Sequence, residues 1–135
     1  MLTNQRLSAS KLIGRYAQRM IIENGIADSI DFFHMDALSS ALPMKVNCDL
    51  QLTLMASGLY RLLASQIAHG YERAKSRHLF RDFVDATALV QISADEITVR
   101  YQKRAHNPLL LAAGFDKTDA QIPWLGGRRL RLVLG

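Results

Sequence analysis

The stretch RYAQRMIIENGIADSIDFFHMDAL, residues 15–38, indicates a long helix with a carboxylate on its apolar side. An α-helix advances about 100° per residue, so Glu23 lies within about 20° of Tyr16 on the helical wheel, and Arg19 lies about 60° from Tyr16. Three apolar residues share this side: Met20, Ala27 and Ile30. A carboxylate among apolar side chains is costly unless it is paired, hydrogen-bonded or bound to a metal. We therefore expect Glu23 to have a partner.

This helix is the first of three that the sequence predicts. It is expected to begin at Ser8 or Ser10 and to end at about His34, because apolar residues recur along it at helical spacing. A second helix is predicted to begin near Asn47 or Asp49 and to end at Gly70. It is apolar around most of its circumference, so a central position is expected. A third helix is predicted over residues 71–85, with a charged side and an apolar side.

The character of the sequence changes near Thr87, where the periodicity of helices gives way to short β-branched and alternating segments. Four segments are predicted as short strands that pair antiparallel: residues 89–92, 97–104, 108–113 and 130–134. Residues 1–86 are therefore expected to be mainly helical and residues 87–135 to be strand-rich. Helices followed by strands predict an α+β fold, and 135 residues suit one segment of ordinary domain size.

The charge of the chain favours a polyanionic partner such as DNA. Lys and Arg number 17 against 12 Asp and Glu, which gives a net charge of +5 and a pI of about 9.7. Such an excess attracts nucleic acid. Many proteins that bind no nucleic acid carry a similar charge, so composition alone leaves both interpretations open.

The cysteine content and the hydropathy pattern point to a cytoplasmic protein. Cys48 is the only cysteine, which excludes an intramolecular disulfide and a zinc site built from several thiolates. The N-terminal sequence MLTNQRLSAS has no apolar core of the kind that a secretory signal needs. Polar residues interrupt the longest apolar stretch, residues 49–67, so no membrane span is expected.

The spacing Tyr16-x2-Arg19-x3-Glu23 resembles the signature around the catalytic glutamate of DDE transposases from bacterial insertion sequences. Further segments extend the likeness over most of the chain: LTN at 2–4, IEN at 22–24, DFFHMDALSS at 31–40, ASGLYRLLA at 56–64 and TVRYQKRAHNP at 98–108. The LTN segment looks like the end of a strand that precedes the helix in those enzymes. The resemblance implies the C-terminal part of an RNase H-like catalytic domain, which is incomplete on its own.

The resemblance also implies a chemistry and a partner. Enzymes of this family use two aspartates and a glutamate to hold two divalent ions, Mg²⁺ or Mn²⁺, which sit about 3.5–4 Å apart during DNA cleavage and strand transfer. Glu23 would be the catalytic glutamate and a metal ligand. Arg19 would contact a phosphate or orient the glutamate, and Tyr16 would contact DNA or the scaffold. The DNA would be the transposon ends.

Two departures from the family pattern bear on activity. A Lys often follows the glutamate by seven residues, and this chain has Ile30 there. The two aspartate strands would lie upstream of Met1, so we expect a fragment that is inactive alone and binds no metal by itself. The chain's own aspartates are not expected to replace them. Asp28 and Asp31 turn away from Glu23 on the helix, Asp49 resembles a cap, and Asp82 resembles a solvated residue.

Several of these residues also have a purely structural interpretation. Arg19 and Glu23 are i,i+4 neighbours, and such a pair stabilises a helix by about 0.2–0.5 kcal/mol without any further function. Lys103 and Arg104 belong to an aromatic and basic run on one predicted strand, which is either a DNA contact or a solvated face. The same choice applies to a second basic cluster: Arg128, Arg129 and Arg131. Trp124 is expected to fill a core position rather than to stack on a base.

The leading hypothesis is therefore a C-terminal part of a DDE transposase that contributes Glu23. The alternative is a non-catalytic module that binds DNA or an intact transposase and regulates transposition. The apolar circumference of the second helix supports an interface, either with intact transposase or with a second copy of the chain.

Overall fold

The computed structural model of the chain describes residues 7–37 and 40–135. The predicted strand end at Leu2 to Asn4 lies outside the described residues. The chain divides into two units, Met1–Ser57 and Gly58–Gly135, and each is described by itself. The architecture is mixed α+β, with helices first and a small four-stranded sheet after them.

Helix α1 spans Ala9–Phe33, which confirms the predicted long helix. Ser8 precedes it in an extended conformation, and its backbone carbonyl accepts a hydrogen bond from the N–H of Leu12 at 3.0 Å. The helix ends where His34 adopts the left-handed conformation, with φ at 53°. The N–H of His34 donates to the carbonyl of Ile30 at 3.1 Å.

Helix α2 spans Pro43–Ile67 and begins earlier than predicted. Proline is well suited to the first turn of a helix, because its fixed φ is helical and its missing N–H would have no partner there. Asp49, which was expected to cap the helix, lies inside it. The helix ends before Gly70, because Ala68 and His69 already have positive φ. No helix in the described part of the chain has the length and hydrophobicity needed to span a bilayer.

The segment predicted as a third helix over residues 71–85 forms three short pieces. A 3-10 turn, Tyr71–Arg73, is followed by extended backbone at Lys75, and this interruption prevents one continuous helix. Helix α3, Ser76–Leu79, then runs into a π-helical turn, Phe80–Val84. The N–H of Asp85 donates to the carbonyl of Phe80 at 2.7 Å, five residues back, which closes the wide turn.

The sheet contains four strands: β1 (Ala88–Ile92), β2 (Glu96–Tyr101), β3 (Ala120–Ile122) and β4 (Arg128–Leu134). Their order is β1-β2-β4-β3, and the two outer pairs are antiparallel. The central pair is parallel, with Glu96 beside Arg129 and Tyr101 beside Leu134. The expectation of an entirely antiparallel sheet is therefore wrong. A parallel pair needs a long crossover connection, and residues 102–127 supply it.

The crossover contains helix α4, Asn107–Ala112, at a place where a strand was predicted over residues 108–113. That prediction is wrong because a short apolar run does not distinguish a strand from a buried helix. Pro108 stands in the first turn of the helix, where proline is favoured, and Gly114 follows with φ at 79°. The amide Nδ2 of the buried Asn107 donates to the carbonyls of Gln102 at 3.0 Å and Gly135 at 3.1 Å.

The apolar core belongs to the second unit. Its buried cluster joins the end of α2 to α3, the π-helical turn and α4: Ala64, Ile67, Leu79, Phe83 and Leu110. Within residues 7–37 and 40–57, Ser29 is the only buried residue, so no apolar side chain of the described first unit is buried. A unit of this size is only marginally stable even when it has an apolar core.

Candidate functional site

The predicted catalytic triplet lies on the solvent-exposed side of α1. The Nε of Arg19 donates to Oε1 of Glu23 at 2.8 Å, and 55% of the Glu23 side chain is exposed. Tyr16 is 53% exposed, and Met20 is exposed to a similar degree. The carboxylate therefore has a partner, as expected, but the apolar side around it is open. An exposed ion pair contributes little to stability, and an i,i+4 pair of this kind is common on helices without any further function.

Glu23 has no carboxylate partners suited to a metal within the described residues. Over residues 7–37 and 40–135, no group of three or more His, Cys, Asp or Glu side chains is arranged to hold a metal ion. Mg²⁺ prefers octahedral oxygen coordination from carboxylates and water. The residues described here do not fit such a site by themselves, and Glu23 supplies at most one of its ligands.

Asp82 is a buried ion-pair partner rather than the solvated residue that was expected. Only 7% of it is exposed. Its Oδ1 accepts a hydrogen bond from Nε of Arg81 at 2.7 Å, and its Oδ2 accepts one from the hydroxyl of Tyr71 at 3.1 Å. The hydrogen bond from Arg81 lowers the pKa of Asp82, burial opposes this, and the Tyr71 hydroxyl adds to the lowering.

The same contacts raise the pKa of the Tyr71 hydroxyl, mainly because burial disfavours the phenolate and secondarily because Asp82 accepts its hydrogen bond. The Tyr71 ring packs edge-on against Phe83 at 4.9 Å between centroids, and Phe83 meets the His106 ring at 5.8 Å. No local sequence pattern marks Asp82 as buried, because one of its partners, Tyr71, lies 11 residues earlier in the chain. This cluster ties the 3-10 turn to the π-helical turn.

The two basic residues predicted to contact DNA differ in their surroundings. Strand β2 ends at Tyr101, so Lys103 and Arg104 lie in the loop after it and not on the strand as expected. Arg104 donates from Nη1 to the carbonyl of Asp85 at 2.8 Å and from Nη2 to that of Arg81 at 2.7 Å. These bonds satisfy carbonyls at the π-helical turn. Lys103 is exposed.

The C-terminal basic cluster is divided between the two faces of the sheet. The register places Arg129 beside Glu96 and Arg131 beside Thr98, so these two arginines share a face. Arg100 lies on that face as well. Arg129 pairs with Asp119 at 3.2 Å. Arg128 lies on the other face and donates to the carbonyls of two loops: Ala94 at 3.1 Å and Leu125 at 3.0 Å.

The positive charge of the chain resides in the second unit. Gly58–Gly135 holds twelve Lys and Arg against seven Asp and Glu, which leaves +5. Met1–Ser57 holds five of each and is neutral. We therefore expect a negatively charged partner, if there is one, to bind the second unit, which contains the sheet.

Trp124 is a surface residue, which contradicts its expected place in the core. It is 82% exposed in the 3-10 turn Pro123–Leu125, which links β3 to β4 through Gly126 and Gly127. The sequence PWLGG itself carried the signal, because proline and paired glycines mark a turn, and turns lie at the surface. An open groove of ≈ 380 Å³ lies at this end of the sheet, lined by Ala94, Asp95, Glu96, Gln121, Gly126, Gly127, Arg128 and Arg129.

Comparisons with protein-family models, with curated proteins and with solved structures found no match. The resemblance to DDE transposases therefore stays a hypothesis based on the residues of the chain.

Proposed function

We propose that this chain is the glutamate-carrying part of a DDE transposase of a bacterial insertion sequence. Glu23 would contribute one carboxylate to metal-dependent DNA cleavage and strand transfer. The main support is the exposed Arg19–Glu23 pair, which lies at 2.8 Å on a side of α1 whose apolar residues are uncovered. A face of this kind suits another protein segment that would cover the apolar residues and bring further carboxylates to Glu23.

The sheet-bearing unit would hold the DNA. Its net charge of +5 would attract the phosphate backbone, and each Lys or Arg on a phosphate would add salt-dependent affinity. Arg100 and Arg131 lie exposed on one sheet face, and Lys103 lies just beyond it. Trp124 offers an exposed ring of the kind that stacks on bases. Arg104 is a structural residue in this proposal, because its guanidinium is bonded to two backbone carbonyls.

The catalytic part of the proposal is tested by complementation. Any reading frame directly upstream on the same strand that encodes two aspartate-bearing strands would be expressed with this chain, and nicking of a plasmid carrying the element ends would be measured. We expect Mg²⁺-dependent nicking by the mixture and none by the chain alone. Glu23→Gln should abolish it, and Asp36→Asn, at an exposed position in the same unit, should not. Nicking that survives Glu23→Gln would exclude the catalytic role.

The DNA-binding part is tested by fluorescence anisotropy with a labelled duplex at a series of salt concentrations. Lys103→Ala should reduce the slope of log K against log salt by about one. The control Lys45→Ala, an exposed lysine in the neutral unit, should leave the slope unchanged. Arg104→Ala should instead lower the free energy of unfolding by about 1–3 kcal/mol, because two carbonyls lose a charged donor. Salt-independent binding would contradict the proposed surface.

A non-catalytic regulator is the second candidate, and one observation favours it. Within residues 7–37 and 40–135 Glu23 has no set of metal ligands around it, whereas the second unit carries its own positive charge. A regulator would bind the element ends by itself and inhibit an intact transposase. Glu23→Gln would leave both properties unchanged, which distinguishes this candidate from the first.

A further inference from the structure

The charges of α1 follow a single ridge of the helix in a definite order. Residues four apart form one row along a helix surface. Here that row reads Lys11, Arg15, Arg19, Glu23, Ala27 and Asp31. Its cations therefore occupy the N-terminal half of the helix, and its anions occupy the C-terminal half.

This order is unfavourable for a helix on its own. The macrodipole of a helix favours anions near the N-terminus and cations near the C-terminus. Helix α1 has no acidic residue in its first turn and no basic residue in its last turn. The charges are therefore arranged against the dipole. They do match a neighbouring helix that runs in the opposite direction, because its acidic half would lie beside the basic half of α1.

The pattern is symmetric about Ile21. Lys11 and Asp31 are equally far from it, and so are Arg19 and Glu23. Two pairs of apolar residues beside the charged ridge show the same symmetry on one side of the helix: Leu12 with Ile30, and Tyr16 with Ile26. When two copies of such a helix run antiparallel about a two-fold axis, Lys11 meets Asp31, Arg19 meets Glu23, and each of these apolar residues meets another, whereas Arg15 meets Ala27.

The side of α1 that carries this pattern is partly open to solvent. Ile26 is 47% exposed and Tyr16 is 53% exposed, whereas Leu12 and Ile30 are half-buried. Ser29 is buried, and its hydroxyl donates to the carbonyl of Gly25 within the same helix at 3.0 Å. From Lys11 to Asp31 the charged row extends about 30 Å along the helix at 1.5 Å per residue. Exposed apolar residues beside matched charges indicate a protein partner.

We propose that α1 pairs antiparallel with α1 of a second copy of this chain, centred on Ile21, with Arg19 of each helix opposite Glu23 of the other. The four central charges then balance, which limits the cost of removing them from water. The inference does not rest on the proposed transposase function. It does bear on it, because a second copy and a segment that brings further carboxylates to Glu23 would compete for the same side of α1.

Charge exchange tests the pairing in the full-length chain. Sedimentation velocity over a concentration series should show a monomer–dimer equilibrium. Arg19→Glu alone and Glu23→Arg alone should each raise the dissociation constant about tenfold or more, because like charges then face each other. The variant that carries both substitutions should have the dissociation constant of the wild type, because its two exchanged charges are again opposite to each other across the pair. A monomer at all concentrations, or a double variant no better than either single one, would overturn the proposal.

Two isoleucines provide a matched apolar control. Ile26→Asp places a charge on the proposed interface and should abolish the dimer. Ile21→Asp places the same charge on the opposite side of the helix, where Ile21 is 62% exposed, and should leave the dimer intact. Circular dichroism checks that both variants keep their helices. Equal effects of the two substitutions would exclude a specific interface on this side.

Cross-linking tests the direction of pairing, in a Cys48→Ser background because Cys48 is exposed. A chain with Leu12→Cys should cross-link to a chain with Ile30→Cys under mild oxidation, and neither should cross-link to itself. Self-cross-linking of Leu12→Cys would indicate parallel helices and contradict the proposal. The result is independent of DNA cleavage, because Glu23 keeps its carboxylate in every chain used.

Discussion

At the scale of single residues, the cluster around Asp82 stabilises the second unit. Asp82→Asn leaves Arg81 and the Tyr71 hydroxyl without a charged acceptor, and hydrogen bonds to charged groups contribute about 1.5–3 kcal/mol. We expect a decrease of that size in the free energy of unfolding at neutral pH, measured by urea titration. Asp116→Asn, at an exposed position in the same unit, should change it by less than about 0.5 kcal/mol. Equal effects would show that burial and pairing at Asp82 are unimportant.

The contribution of Asp82 also depends on pH in a defined direction. Its pKa in the folded chain lies below the ordinary value of 3.8, because Arg81 and Tyr71 bond to the ionised carboxylate. The folded state therefore favours the carboxylate more than the unfolded state does. The stability difference between the wild type and Asp82→Asn should be complete above the ordinary pKa and should disappear as the pH falls through the lowered one. A difference that grows towards acid pH would contradict this.

Trp124 is the only tryptophan, so the tryptophan fluorescence of the protein reflects the surroundings of this one side chain. In a core, Trp→Ala costs about 3–5 kcal/mol, whereas a surface substitution usually changes stability by about 0.5 kcal/mol or less. Because Trp124 is 82% exposed, we expect the small value for Trp124→Ala. The fluorescence emission of the folded protein should match that of water-exposed tryptophan. A blue-shifted emission of the wild type, together with a decrease of several kcal/mol in the free energy of unfolding of Trp124→Ala, would place the ring in a core.

At the scale of elements, replacing glycine by alanine should have opposite effects on stability at Gly14 and at Gly126, because the backbone conformation differs at the two positions. Gly14 lies within α1, where a Cβ would meet no atom within 4 Å, so Gly14→Ala should stabilise by about 0.5–1 kcal/mol. Gly126 has φ at 73°, and a left-handed residue other than glycine costs about 1–2 kcal/mol. Gly126→Ala should therefore destabilise. Thermal or urea unfolding of both variants measures the change in the free energy of unfolding. A change of the same sign in both would exclude this explanation.

The sheet shows how one element changes the pairing of others. Strands β1 and β2 follow each other through a short turn, so their antiparallel pairing follows from sequence adjacency. Strand β4 follows the crossover that contains α4, and this long connection allows β4 to lie parallel to β2. Because residues 108–113 were predicted as a strand, the crossover was not foreseen. One wrong element therefore led to the wrong direction for the central pair.

At the scale of the whole molecule, the two units should differ in local stability. The second unit has a buried apolar cluster, whereas the described residues of the first bury no apolar side chain. Regions with few buried contacts open most readily. Hydrogen exchange at low protein concentration should therefore be fast for the amides of α1 and slow for those of β2 and the end of α2. Equal protection of the two units would contradict this prediction.

The protein concentration provides a further readout in the same experiment. If α1 pairs with a second copy, its protection should increase with concentration, whereas that of β2 should not change. Arg19→Glu should remove this dependence, and the double charge exchange should restore it.

The features that depend on neighbouring residues follow from local sequence patterns. Helix α1 and strands β1, β2 and β4 were predicted because helical spacing and alternation are local patterns, and His34 was correctly placed at a helix end. The pairing of Arg19 with Glu23 also follows from their four-residue separation. The turn signal around Trp124 is local as well, although that residue was predicted in the core. Long-range contacts, in contrast, set the helix at residues 108–113, the parallel pairing of β2 with β4 and the burial of Asp82. Each of these depends on contacts between residues far apart in the chain, and no local pattern of apolar and polar residues specifies such contacts.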